Sequence, residues 1–345
     1  MGHLSHLGTL APSEPALFTA LPAARRRIAW MPIGRFPTRV ERVDGLLPAS
    51  SELWVKREDQ SGPLYGGNKV RKLEFLLGAA RARGCTRLVT FGGWGAHHVV
   101  ATSIYGPRHG FRVEAALAPQ PCDDHVREQL RVDFVCGTRL IAVGSWLGVL
   151  PTWLRAQADP RAAWLPGGGS SAVGALGWVS AGFELQRQVE AGELPPFDLV
   201  YVALGSGGTV AGLAWGLRAL AAEVVAVRVV SALACGRRRV AALMRGVDEL
   251  LAPLGGAARS GVPAHVRLET RFAGRYGEAT PAAVAAVAAA ARVGLALEPI
   301  YTGKVMAALL AHAHAGRLAN RRIPFVHSHN TIDLTPIITA QRRIP

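Results

Sequence analysis

The sequence predicts an α/β protein of two lobes, each a mostly parallel sheet flanked by helices. Three observations carry that expectation. Short apolar runs alternate with segments of helical spacing from about residue 52 onward, and strands alternating with helices build parallel sheets covered on both faces. Several apolar runs end in glycine turns, where a strand hands over to a helix. The chain has 345 residues, 50% hydrophobic and 18% charged, which is core enough for two domains at roughly 150 residues each.

The first 50 residues read as loop-rich, punctuated by Pro32, Pro37 and Pro48. Glu52 to Arg57 reads as a short strand. From Asn68, the spacing of Val70, Leu73, Leu76 and Leu77 predicts a helix that Gly84 stops. Arg87 to Phe91 predicts a buried strand closed by Gly92-Gly93, then a helix over His97 to His109 and a strand over Phe111 to Leu117. A helix from Asp123, a strand near Thr138 to Val143 and a helix over Leu147 to Asp159 continue the series. Next come a helix over 174–191, a strand from Asp198 to Leu204, the turn Gly205 to Gly208 and a helix from Thr209. Val224 to Ser231 reads as another buried strand. Pro281 to Val293 is an alanine-rich helix with Pro281 in its first turn. A helix over 304–314 and a short strand at Phe325 to His327 close the pattern.

Composition excludes several classes. The chain is too apolar for disorder. No apolar run reaches the roughly 18 residues of a membrane span, and the nearest stretch, Leu213 to Cys235, carries Arg218, Glu223 and Arg228. The N-terminus lacks a basic start, apolar block and cleavage site, so no secretory signal is expected. The cysteines Cys85, Cys122, Cys136 and Cys235 form no C-x-x-C pair. That speaks against zinc and a disulfide scaffold, and for a reducing cytoplasm. The net charge of +15 comes from dispersed arginines, with no reading motif beside it, so no nucleic-acid partner is expected.

Three glycine-marked segments can carry chemistry, because ligands of open sheets bind beyond the C-terminal strand ends. Gly205-Ser206-Gly207-Gly208-Thr209 lies between a strand and a helix, and its backbone N–H groups and hydroxyls suit a phosphate. It is neither a P-loop nor a dinucleotide fingerprint. Gly66-Gly67-Asn68-Lys69 enters a helix, and a lysine near positive backbone ends is biased toward a neutral amine able to form a Schiff base. Arg71 and Lys72 are expected in solvent or paired with Glu74 or Glu58. Gly92-Gly93-Trp94-Gly95-Ala96-His97-His98 again permits close backbone approach, with histidines that can donate or titrate. Adjacent histidines on a helix point different ways, and His327-Ser328-His329 has no nearby acidic cluster to supply further ligands, so no metal is expected.

A phosphate turn with a Schiff-base lysine matches pyridoxal phosphate. The chain resembles the fold type II (tryptophan-synthase-β-like) superfamily of pyridoxal-phosphate enzymes, and within it the 1-aminocyclopropane-1-carboxylate deaminase and D-cysteine desulfhydrase family. The resemblance runs from about Pro32 to Ile337, on VKREDQSGPLYGGNKVRKLEFLL (55–77), Gly92-Gly93, GGGSSAVGALGWVSAGFEL (167–185), GSGGTVAGL (205–213) and LEPIYTGK (297–304). It implies Lys69 as the Schiff-base lysine and proton carrier, with Asn68 beside it. It implies Gly205 to Thr209 as the phosphate turn, Tyr301 as the active-site tyrosine, and Thr302 facing the pyridine nitrogen where the cyclopropane deaminases have glutamate. A hydroxyl there favours β-elimination over cyclopropane opening.

The third segment departs from the family. Ala96 stands where a substrate-contacting serine is usual, His97 where an asparagine touches the cofactor's phenolic oxygen, and His98 where a glutamine is usual. Trp94 reshapes the pocket, and it is expected to bind substrate together with Gly95, Ala96, His98, Tyr301 and His327, the last in an altered terminal turn. The resemblance thus implies a cofactor retained and a substrate pocket altered, with a histidine moving the proton that the serine cannot. The expected activity is a lyase or deaminase acting on a small amino acid. The alternatives are β-replacement or racemisation on the same cofactor, and a catalytically impaired binding homologue. It also implies interleaved lobes, a small one at 65–165 inserted in a large one of 1–64 plus 166–345, and a homodimer.

Overall fold

A computed structural model describes residues 14–340, apart from 221, 233, 257–264 and 276. Its strands are β1 (Val40–Val43), β2 (Glu52–Lys56), β3 (Arg87–Gly93), β4 (Arg112–Ala118), β5 (Arg139–Ala142), β6 (Ala162–Trp164), β7 (Leu199–Leu204), β8 (Glu223–Arg228), β9 (Val266–Glu269) and β10 (Arg322–Val326). Its helices are α1 (Ala16–Ala20), α2 (Ala24–Arg27), α3 (Asn68–Ala82), α4 (His97–Arg108), α5 (Asp124–Val135), α6 (Leu150–Ala158), α7 (Ala172–Glu190), α8 (Gly208–Gly216), α9 (Arg237–Leu251), α10 (Pro281–Ala291), α11 (Thr302–His314) and α12 (Thr335–Ala340).

The strands form two sheets. One has six strands in the order β1-β2-β10-β7-β8-β9, parallel except where β1 runs antiparallel to β2. The other has four parallel strands in the order β5-β4-β3-β6. The smaller sheet draws on residues 87–164 and the larger on segments before and after it, so the chain leaves one sheet, builds the second and returns. This is the mixed α/β architecture with helix-flanked parallel sheets that the sequence predicts.

Each sheet has its own core. Trp178, Tyr201, Trp215 and Phe325 anchor the larger, and Leu73, Leu77, Leu88 and Val100 the smaller. Helix α3 sits at the seam: Phe75 packs into the first core, while Val70, Leu73 and Leu77 pack into the second. Buried on nearly every side, α3 holds its first turn fixed between the sheets. Leu334, Ile337 and Ile338, near and within α12, also reach the second core.

Some elements depart from expectation. The stretch read as loop contains β1, and β6, β9 and α9 are strands and a helix that the pattern did not mark. The helix expected from Leu147 opens with a 3₁₀ turn over Trp146–Val149 before α6 begins, with Pro151 in its first turn. The strand expected through Ser231 ends at Arg228.

Candidate active site

The start of α3, the start of α4 and the bend after β7 converge on a cavity of about 820 Å³, a size typical of small-molecule sites at roughly 300–1,000 Å³. Asn68, Lys69, Ala96, His97, His98, Gly205, Ser206, Gly207, Thr209 and Tyr301 border it. So do Ser328, His329 and Asn330, which follow β10.

The two glycines before α3 are required by close approach. A methyl at Gly66 would lie 1.8 Å from the Asp59 carbonyl oxygen, and one at Gly67, where φ is +83°, 2.8 Å from that of Ser328. Threaded between those carbonyls, the chain turns into α3 and aims Lys69 at the cavity. Lys69 Nζ has no hydrogen-bond or ion-pair partner among the described residues. Burial lowers its pKa to about 8, which enriches the neutral, nucleophilic amine. Desolvation, rather than the backbone ends invoked from sequence, is the cause.

Gly168 measures how near this amine is to the bend. A methyl there would stand 2.3 Å from Ser206 Oγ and 3.7 Å from Lys69 Nζ. The bend itself needs Gly207 in the left-handed region at φ +94° to pass from β7 into α8. Asn68 Nδ2 donates to Thr209 Oγ1 at 3.1 Å, tying α3 to the bend. Ser170 Oγ lies 2.7 Å from Ser206 Oγ and accepts from Gly208 N and Lys72 Nζ, both at 3.1 Å. Arg239 Nη2 donates to the Ser170 carbonyl at 3.0 Å, and both Arg239 and Lys72 border the cavity. A lysine and an arginine beside a helix start, with two hydroxyls, form a cradle for an anion.

The expectation for Arg71 and Lys72 needs correction. Lys72 is buried, and its pKa is pushed well down, first by burial and then by Lys69. Arg71 does pair with Glu58, but buried, and shares Glu184 rather than meeting solvent. Lys72, Ser170 and Arg239 were not singled out from sequence. The placement of Lys72 one helical turn after Lys69 was the available signal.

At the third segment, His97 and His98 both border the cavity, the His97 ring turned to Tyr65 and the His98 ring to Gly169. His97 Nδ1 lies 2.6 Å from the Tyr65 hydroxyl, and its ring centroid stands 5.2 Å from His329, 5.5 Å from His125 and 6.2 Å from Tyr301. Among the described residues neither nitrogen of His98 has a hydrogen-bond partner. Burial pushes both rings well below the usual histidine range, and His329 to about 3, so all three are neutral near pH 7. Trp94 packs against the core of Val99, Ala115 and Leu117, and Gly95 is pressed against Val126; neither borders the cavity. His327 is fully buried with Nε2 on the Ala296 carbonyl at 2.7 Å, and His329 takes the cavity position.

Tyr301 opens α11, with its ring beside Gly205. Thr302 is fully buried and donates to Glu298 Oε1 at 2.9 Å, and Glu298 and Tyr301 border the cavity at this corner. Glu298 accepts from the backbone N–H groups of Ile300, Tyr301 and Thr302. Among the described residues no group of three or more histidine, cysteine or carboxylate side chains is placed to hold a metal ion. The donor set fits pyridoxal phosphate: one amine for its aldehyde, one cradle for its phosphate, and a gap between them that only glycine at 168 leaves open.

Residues 31–329 match the family model described as pyridoxal-phosphate dependent enzyme. The chain is 37% identical over 266 residues to nocardicin C-9' epimerase of Nocardia uniformis subsp. tsuyamanensis, covering 73% of this chain and 78% of that protein. It is 34% identical over 292 residues to D-cysteine desulfhydrase of Yersinia pestis (strain Pestoides F), covering 80% and 86%. A crystal structure of an ACC deaminase homologue superposes with a TM-score of 0.77 at 25% identity, over 95% of this chain and 99% of that one. The glycine-lined lysine and phosphate bend, carried on two interleaved sheets, thus place this chain in the fold type II pyridoxal-phosphate-dependent enzymes, in the 1-aminocyclopropane-1-carboxylate deaminase and D-cysteine desulfhydrase family.

Proposed function

We propose that the chain is a lyase or deaminase that removes an α-proton and a β-substituent from a small amino acid, as a D-cysteine desulfhydrase would. The observation that carries the reading is the partnerless Lys69 amine, lowered to about 8, beside the anion cradle of the 205–209 bend. Pyridoxal phosphate, when bound, draws electron density from the substrate's α-carbon. Lys69 would hold the cofactor by its aldehyde, and its Nζ would take up the α-proton of the substrate. The β-substituent leaves with its bonding electron pair and takes a proton. That proton comes from the Lys69 ammonium, while neutral His97, at the cavity edge where Ala96 offers no hydroxyl, donates a hydrogen bond. Hydrolysis by water completes the conversion to a 2-oxo acid and ammonia.

Relatives named for desulfhydration support elimination. The epimerase relative makes return of the α-proton, without loss of a substituent, the alternative to be measured. The lobe limits of this reading are 65–165 for the small lobe and 1–64 plus 166–345 for the large one, supported by the split of strands between the sheets. The reading takes the chain as a cytoplasmic homodimer; its four free cysteines suit a reducing compartment. Among the described residues no helix is long and apolar enough to cross a membrane.

Adding pyridoxal phosphate to the purified protein is expected to give a visible absorbance band that Lys69→Ala lacks. D- and L-amino acids in deuterated solvent then separate the readings. Release of 2-oxo acid and ammonia supports elimination. Deuterium at the α-carbon without ammonia replaces elimination by racemisation or epimerisation. A spectral response to amino acids with neither product leaves a binding protein. A wild-type protein with no band overturns the cofactor assignment itself.

A further inference from the structure

Tyr65 is buried in the loop just before Gly66, and the Tyr105 hydroxyl of α4 clamps its backbone. That hydroxyl donates to the Tyr65 carbonyl at 2.7 Å and accepts from Tyr65 N at 3.1 Å. Among the described residues the phenol of Tyr65 has one hydrogen-bond partner, His97 Nδ1 at 2.6 Å. Burial above all holds the phenol pKa well above its ordinary value, so the hydroxyl keeps its proton. Neutral imidazole has one bare nitrogen and one N–H. A phenol that donates to Nδ1 requires Nδ1 to be bare, and the ring proton of His97 then sits on Nε2. The rings around His97 belong to Tyr65, His125, His329 and Tyr301, and the groups that act on its charge among the described residues are His329, His125 and Lys69, with no carboxylate to draw the proton back to Nδ1.

We propose that Tyr65 is a positioning residue that locks His97 in its Nε2–H tautomer, so that the imidazole presents a fixed donor to an anionic oxygen in the cavity. The proposal rests on the reading of that cavity as an amino-acid site. Two oxygens share the required chemistry, the phenolic oxygen of the cofactor and the carboxylate of the substrate. Without Tyr65 the two neutral tautomers compete, and the donor is present only part of the time.

The test is ¹⁵N NMR of the full chain labelled at histidine, with and without pyridoxal phosphate, the His97 signals being assigned by their loss in His97→Asn. The wild type is expected to show a bare Nδ1 and a protonated Nε2, and Tyr65→Phe a tautomer mixture at an unchanged melting temperature. A wild type protonated on Nδ1, or a Tyr65→Phe protein with the wild-type tautomer, overturns the proposal. Should Tyr65→Phe fold poorly, Tyr105→Phe, which only loosens the clamp, is expected to give a smaller shift toward the mixture, and a wild-type tautomer there overturns it.

Activity then distinguishes the two oxygens. Loss of one neutral hydrogen bond is worth about 0.5–1.5 kcal/mol, or roughly two- to tenfold in kcat/KM. If the donor serves the cofactor, the visible band of Tyr65→Phe shifts before any substrate is added. If it serves the substrate carboxylate, the band stays and KM rises. No change in either overturns the donor role. A wild type with no visible band defeats the cofactor assignment instead, and leaves the tautomer measurement to stand alone.

Discussion

Lys72 is a buried amine whose partners are a hydroxyl and a carbonyl, with no carboxylate paired to it among the described residues, and its proton is held only weakly. Buried cations are costly unless an anion offsets them, and the second lysine of the same turn, Lys69, adds repulsion. Placing such a group under the 205–209 bend makes physical sense when an anion sits above it, which in the proposed cofactor-bound form is the phosphate. Replacement by a neutral side chain of similar length therefore has opposite effects on the two forms of the protein. Lys72→Met is expected to raise the melting temperature of the cofactor-free chain and to weaken pyridoxal phosphate. One charge-assisted hydrogen bond is worth about 1.5–3 kcal/mol, or roughly ten- to a hundredfold in affinity. Thermal melts of both forms and a titration followed at the visible band check it. Unchanged affinity in Lys72→Met would remove Lys72 from the cradle.

Helices α7 and α8 set the bend in place by approaching closely enough to need glycine. A methyl at Gly212 of α8 would come 2.2 Å from the Ala175 carbonyl and 2.6 Å from Trp178 Cβ, while one at Gly177 of α7 would come 2.1 Å from the Arg71 carbonyl of α3. Helix α7 is thus pressed against α3 on one face and α8 on another, and these two helices carry Lys69 and the phosphate bend. Gly212→Ala forces α8 outward at an overpacking cost of about 1–3 kcal/mol, read as a lower melting temperature together with weaker cofactor binding. A stability loss with cofactor affinity intact would show that the bend is positioned by its own turn rather than by helix packing. The same contrast between local and assembled features governs what the sequence discloses. Glycines that end strands or open helices mark the lysine, the bend and the 92–98 turn, because local backbone chemistry demands them. Strand β1 escapes notice because it is VERV, a half-polar edge paired on one side only, and β6 is three residues long. Tyr65, Ser170, Arg239 and Glu298 join the site through tertiary contacts, and although Tyr65, Ser170 and Glu298 lie within the matched segments, nothing local gives them a role. The place of Thr302, one residue beyond the wall, depends on how α11 is capped by Glu298.

Across the whole molecule, one buried ionic cluster joins the larger sheet to the helices that hold the site. Glu184 of α7 pairs with Lys56 of β2 and with Arg71 of α3, and Arg71 also pairs with Glu58. Thr38 N donates to Glu184 at 2.8 Å, and Lys56 Nζ to the Thr38 carbonyl at 2.7 Å. Burial on its own would raise the Glu184 pKa, but Arg71 and Lys56 outweigh it and bring the carboxyl down to about 2. A folded pKa below the unfolded value near 4.3 gives stability that is fully present above that value and is lost as pH falls toward 2. Glu184→Gln leaves two buried cations facing a single remaining carboxylate, Glu58. Breaking a buried pair from one side costs about 3–5 kcal/mol, so at pH 7 the variant is expected to unfold at much lower urea. Because Arg71 lies on the helix turn that begins with Lys69, the same variant is expected to bind pyridoxal phosphate more weakly. The pH dependence isolates the charge from the shape: the stability gap between wild type and variant should hold from pH 7 down to about 5, narrow below 4 and close near 2. Urea unfolding across that range reads the gap directly. A gap of constant size at every pH would mean that Glu184 acts through its hydrogen-bonding shape, and the ionic account of how the sheet grips α3 and α7 would fall.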